Sequence, residues 1–489
     1  MKLKKTVAPA ALVLALALLL PLLSVAGAAD VEAPIIDNWN NAYSAFGYGY
    51  GEATSHGNNQ TRIASTSSGI YVTCPTDDFE AKYNPYSKNE ESGSGCVLYV
   101  VRPDGTQKVL FEDDLFKIPA GTSTNVMVDK NEDIWVVTSW DEGAKHYPMI
   151  AWHYDVSEDT VTKYDEVGCA AKGGNFGKPY AIMDPVNNKI YVVVFACMKS
   201  SFVEWATFDI ETKTWEKNLH YAKAPCSCCY HFGYPDGKGG FYFVTTRTVD
   251  NMNTASDIEG LNVQQAMDKF RNRPSMDVGQ VWDETYLFYV PDASGDTVYN
   301  YAFGSAQYDS EKGIYPTVRN SSSDFFLDEA TGLLYVLRNE EDCGTFGLHM
   351  MLYIFDTGSR DGELADGNIF RLVCKKEVSF GYGVGVHYFP HVVKDLVGNL
   401  YIVVATERAG EIEVWRATDE IGSEYEFVSF FPVNGDYNQK SYNQWRSLIA
   451  ATNRNNSVPS DKIWFLYEDG HGWESFSIDF AALRARYGQ

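Results

Sequence analysis

A sub-pattern recurs along the chain in which the second of several short β-forming runs opens on an apolar residue followed by Tyr or Trp: Ile70-Tyr71, Ile134-Trp135, Ile190-Tyr191, Phe241-Tyr242, Leu334-Tyr335, Leu400-Tyr401 and Ile463-Trp464. Each pair opens a β-forming run, and most follow an Asp- or Gly-rich turn such as Asp129–Asp133, Asp184–Asn188, Asp236–Gly240, Asp328–Gly332 or Asp395–Asn399. β-Branched and aromatic runs bounded by such turns read as consecutive antiparallel strands. A third strand usually follows, as at Val97–Val101, Val203–Phe208 and Ile412–Ala417, and then an outer one, as at Thr214–Glu216. Four strands recurring every 50–65 residues or so match propeller blades, which bury their faces only against one another. The expected fold is therefore all-β, a β-propeller of seven four-stranded blades. The last unit, 445–480, supplies only three strands, so 34–50 is expected to contribute the fourth and close the ring. One interval is longer: 250–283 is polar, and Ser256–Glu259 forms a capping box before Leu261, Ala266, Met267 and Phe270 at helical spacing. It predicts a partly helical insertion, either a lid over the channel or a decoration.

The first 29 residues, with Lys2, Lys4 and Lys5, an apolar run from Ala8 to Val25 and small residues after it, read as a secretory signal peptide. Residues 30–489 are then one exported propeller domain, secreted or held at the cell surface, with no membrane association after cleavage. The formal charge of −25 disfavours nucleic acid and anionic membranes as partners. An exported chain with nine Cys can hold disulfides, and Cys226-Ser-Cys228-Cys229 is expected to pair with Cys197 or Cys169. Asp129-x-Asn131-x-Asp133 has the first half of an EF-hand loop but Ile134 and Trp140 where Gly and Glu are needed, so it reads as a β-turn. Structural calcium in the acidic turns remains an expectation; no metal ligand set is assigned. Phosphate-cradling, dinucleotide and nucleophile-elbow motifs are absent.

In a propeller the innermost strand of each blade lines the channel, and its first residue can face the mouth. Aligning the units on the turn Asp places Arg62, Asn125, Tyr180, His231, Asp324, His391 and Arg446 at equivalent points, with Trp445 beside the last. His and Tyr can withdraw and return a proton, as β-elimination of a uronic-acid polymer requires, while Arg forks fit a carboxylate. His231, His391, Tyr180 and Arg446 are accordingly the candidate catalytic residues, and Arg62, Asn125, Asp324 and Trp445 the candidate substrate-binding ones. Asp324 with Glu204, Glu413 or another acid would instead make a glycosidase pair.

The run Asp395-Leu-Val-Gly-Asn-Leu-Tyr-Ile-Val-Val404 resembles blade sequences of exported sialidase-like propellers, including the BNR-repeat group and propeller polysaccharide lyases. The resemblance implies carbohydrate as the substrate class. It does not extend to the Ser-x-Asp-x-Gly-x-Thr-Trp boxes of sialidases, which this chain lacks. His, Tyr and Arg at a channel mouth are what a lyase of this kind would use. The expected function is thus an exported propeller acting on or binding a carbohydrate at the channel mouth, lyase-like or glycosidase-like; the alternative is a non-catalytic glycan- or protein-binding module.

Overall fold

The computed structural model describes residues 36–39, 62–76, 95–104, 106–110, 118–119, 124–139, 147–169, 180–195, 202–216, 220–223, 231–248, 282–303, 317–342, 347–358, 370–378, 390–405, 411–432, 447–468 and 473–487. They form an all-β β-propeller built from seven antiparallel sheets. Five sheets have four strands; the first and third carry an additional short strand, at Ile118–Pro119 and His220–Lys223. The sheets are numbered here one to seven by their first strands: Ile63–Thr66, Thr124–Val128, Tyr180–Asp184, His231–Pro235, Thr317–Asp328, His391–Lys394 and Ser447–Ala450. Each first strand neighbours the next in this order, and the seventh neighbours the first. In sheet seven, Ile36–Trp39 pairs with Trp473–Asp479 as the outermost strand.

The seven dipeptides all lie in second strands. Those strands are apolar on both faces: Ile190, Tyr191, Val192 and Val193 are all fully buried. A strand with one wet face would alternate; continuous burial follows from sheets stacked against sheets on both sides. The core accordingly lies between neighbours, as where Met127, Trp135 and Val137 of sheet two meet Ala181, Ile190 and Phe208 of sheet three.

The turn Asp and the aromatic residue that follows it are joined directly. Asp129 Oδ2 accepts from the Trp135 indole at 3.0 Å, Asp184 Oδ2 from the Tyr191 hydroxyl at 3.0 Å, and Asp395 Oδ2 from that of Tyr401 at 3.1 Å. The other oxygen caps the turn: Asp184 Oδ1 accepts from the backbone N–H groups of Val186 and Asn187. The repeated motif is thus a clasp that satisfies a turn's N–H groups and a buried aromatic's polar tip with one carboxylate. Sheet four varies it: Asp236 Oδ2 accepts from Tyr289, on which Tyr242 stacks. In sheet one Ser68 meets the Tyr71 hydroxyl, and no Asp is used.

Two features were not expected from sequence. The helix α1, Phe480–Tyr487, follows the last strand; Phe480 packs on Tyr401, and Arg484 donates to Asp461 at 2.9 and 3.1 Å and also reaches Asp395. Second, the connection between the first two strands of sheet seven spans residues 451–461 and includes a 3-10 turn, Asn453–Asn455. Segments 1–29 and 34–35, most of 250–283 and the Cys226–Cys229 cluster lie outside the described residues. Cys374 is a free thiol. Among the described residues no helix is long and apolar enough to cross a membrane.

Candidate functional site

The 451–461 connection closes the turn end of the channel. Its polar side chains and N–H groups bond to the first strands of sheets around the ring: Asn455 Nδ2 to the Ile63 carbonyl, Asn456 Nδ2 to that of Met183 at 3.3 Å, and Asn453 Nδ2 to that of Leu327 at 3.1 Å. Asn453 also accepts from the Tyr234 hydroxyl, Ser457 Oγ accepts from Ser65 N–H at 3.1 Å, and Val458 N–H donates to the Ser65 carbonyl at 2.9 Å. One segment therefore ties together sheets one, three, four and five.

From this plug Arg454 reaches the first strands of sheets four and five. Its Nη1 donates to Asp324 Oδ1 at 2.9 Å, and its guanidinium carbon lies 4.8 Å from the centre of the Phe232 ring. Asp324 Oδ1 also faces His391 Nδ1 at 3.2 Å, while Oδ2 accepts from Val392 N–H at 2.8 Å. His391 Nε2 meets the Leu448 carbonyl oxygen. All three side chains are buried, Asp324 at 3%, His391 at 3% and Arg454 at 2% exposure. Burial alone would raise the Asp324 carboxyl, but the His391 ring, Arg454 and the Val392 N–H outweigh it and hold the group below its ordinary value. Tyr180, fully buried, has its hydroxyl pushed up to about 12 by burial, partly offset by Arg454.

Of the residues aligned by sequence, five have described side chains, and all five are buried. Tyr180 and His391 open their first strands, Asn125 is second in its strand, and Arg62 directly precedes its strand. Asp324 lies well inside the long strand Thr317–Asp328, after a register shift. Asp324 and His391 are in direct contact. His231 opens the first strand of sheet four opposite Thr245, but its side chain lies outside the described residues, as do Trp445 and Arg446, which precede the strand Ser447–Ala450. Glu204 and Glu413 are buried in third strands, and Glu413 Oε2 accepts from Trp415 Nε1 at 2.9 Å. Arg454 is the member the sequence reading missed. Its signal was the length of the 451–461 connection, where other sheets use a short Asp turn, and an Arg set between Asn residues.

A base must offer substrate a lone pair. In this arrangement each nitrogen of His391 faces a protein oxygen, Asp324 Oδ1 or the Leu448 carbonyl, so neither is turned toward a substrate. The arrangement can hold charge and orient groups; proton abstraction by Nε2 of His391 would first need its Leu448 contact to open.

Two other places gather polar side chains. The ligand atoms of Asp129, Asp133 and His153 lie within 4.8 Å of one another. Yet Asp129 Oδ1 accepts from the N–H groups of Asn131 and Asp133, its Oδ2 from Trp135, and Asp133 Oδ1 from Val156 N–H. These carboxylates are occupied as turn caps, and the DxNxD run is a turn, as read from the sequence. A cavity of about 250 Å³ lies at the turns, bordered by Asp328, Lys394, Asp395, Asn453 and Lys462.

No family model and no curated protein matches the chain. Among solved structures it is similar to the polysaccharide lyase Uly1, at 10% identity over 89% of this chain and 92% of that one, with a TM-score of 0.48. It is also similar to the GH93 alpha-L-arabinofuranosidase of Fusarium graminearum in complex with arabinobiose, at 10% identity over 72% and 92% of the two chains and a TM-score of 0.40. The β-propeller domain of the Trilobed protease from Pyrococcus furiosus matches at 10% identity over 86% and 94%, with a TM-score of 0.39. Likeness at this level concerns the fold and not activity.

Proposed function

We propose that this chain is an exported propeller that binds carbohydrate at the strand-start end of its channel. In this reading each of the seven sheets is one blade, and the pairing of Ile36–Trp39 with the last sheet supports closure by the N-terminal strand. The observation that carries the site is the meeting of Asp324, His391 and Arg454, from three different sheets, at the channel axis. Buried charged groups drawn from separate sheets cost desolvation that a purely structural channel could avoid with apolar side chains. The blade pattern and the aromatic content of 14% support a sugar as the ligand class.

The burial of Tyr180 and the double engagement of His391 favour recognition over catalysis. The second reading, β-elimination using His391, Tyr180, His231 and Arg446, is supported by residue type and by their places at strand starts. A panel of neutral and uronic-acid polysaccharides separates the two. Binding by calorimetry without an unsaturated, ultraviolet-absorbing product supports recognition, and product formation supports elimination. No binding and no release of reducing sugar across the panel would sink both.

A further inference from the structure

We propose that Arg454 holds a carboxylate at the centre of the channel, through the edge of its guanidinium formed by Nε and Nη2. Arg454 is 2% exposed, and its Nη1 is taken by Asp324, but Nε and Nη2 have no hydrogen-bond partner among the described residues. These two nitrogens carry parallel N–H groups on one side of a rigid plane, the fork that accepts a carboxylate through both oxygens. Leaving charged donors unmet in a buried setting costs more than leaving an ordinary polar group unmet, so the plug delivers them at a cost that a ligand would offset.

The surroundings select an anion. Among the described residues Asp324 is the one carboxylate bonded to Arg454, and that same oxygen also faces His391, so Arg454 does not have this carboxylate to itself. Phe232 covers one face of the guanidinium. The Tyr180 hydroxyl remains protonated to about pH 12 and is a neutral donor at working pH. The chain's overall charge of −25 would repel an anion, so attraction has to come from this local arrangement.

The inference rests on reading this end of the channel as the binding end. The carboxylate could be free or carried on a uronic acid, and the test separates these. Folded protein in carboxylate-free buffer is titrated by calorimetry and by thermal unfolding with formate, acetate, glucuronate and, as neutral controls, acetamide and glucose. The expected result is saturable stabilisation by carboxylates alone, weakened at least ~10-fold in Arg454→Lys, whose single ammonium can keep the Asp324 contact but has no fork. A response to formate without glucuronate identifies a free anion and leaves the carbohydrate reading unsupported. A response to glucuronate supports both. If the wild-type protein ignores every carboxylate, or responds as strongly in Arg454→Lys, the inference is overturned, whatever the polysaccharide panel shows.

Discussion

Asp324→Ala is the perturbation that most sharply probes the channel network. The substitution removes one carboxylate and leaves Arg454, 2% exposed, without the only side-chain hydrogen bond it makes to a described residue. Removing one partner of a buried ion pair costs about 3–5 kcal/mol, because the surviving charge stays buried. The Val392 N–H, which donates to Asp324 at 2.8 Å, is orphaned as well and adds about 1 kcal/mol. Arg454→Met removes the other charge and leaves Asp324 with His391 and Val392, so its loss should be smaller. In the double variant no orphaned guanidinium remains, and much of the single-site cost should return as a coupling of about 2–3 kcal/mol. Urea unfolding followed by tryptophan fluorescence measures this, with unchanged m-values as the check that only stability has moved. Strictly additive losses, or an Asp324→Ala protein within about 0.5 kcal/mol of wild type, would show that the contacts do not bear on stability as argued.

Other outcomes follow from the same geometry. Tyr191→Phe removes a hydroxyl donor from Asp184, whose other bonds to Val186, Asn187 and the Asn187 amide remain, so it should cost about 1–2 kcal/mol by urea unfolding; Asp184→Ala should cost clearly more. Gly240→Ala would bring a Cβ within 2.2 Å of the Val290 carbonyl oxygen, a backbone atom, and should lower the unfolding midpoint well beyond the effect of the same change at Gly239, where a Cβ has open space but the backbone φ of +104° adds strain. Because the folded Asp324 pKa is depressed, its contribution is complete above the ordinary aspartate value of about 3.9 and is lost as pH falls through the lower folded value. Wild type should therefore lose stability more steeply than Asp324→Asn on the acid side of pH 4 or so, and parallel curves would refute the assignment.

The repeat was legible because its parts are local. The turn Asp, the two- or three-residue tip and the following Tyr or Trp lie within one hairpin, and the clasp from Asp184 to Tyr191 spans seven positions. What the sequence showed as a spacing the structure explains as a hydrogen bond. The strand-start set was partly legible for the same reason, since counting back from the turn finds Asp324 and His391. The choice of partners was not. Arg454 reaches Asp324 across 130 positions, and Asn455 reaches Ile63 across 392, so neither pairing has a local signature. A polar run such as Thr452–Ser457 reads as an ordinary solvated loop until the ring around it is known. The helix α1 escaped notice because its clamp on Asp395 and Asp461 is also made at a distance, and Phe480–Tyr487 has no apolar stripe of its own.

The most direct test of the account is amide hydrogen exchange on the protein with and without an acidic oligosaccharide found by the polysaccharide panel. Binding at the strand-start end predicts new protection at Tyr180–Asp184, His391–Lys394 and Ser447–Ala450, reduced when Arg454 is replaced by Lys. Protection confined to the outer strands, or to the turn-face cavity beside Lys394 and Lys462, would place the site elsewhere and contradict it.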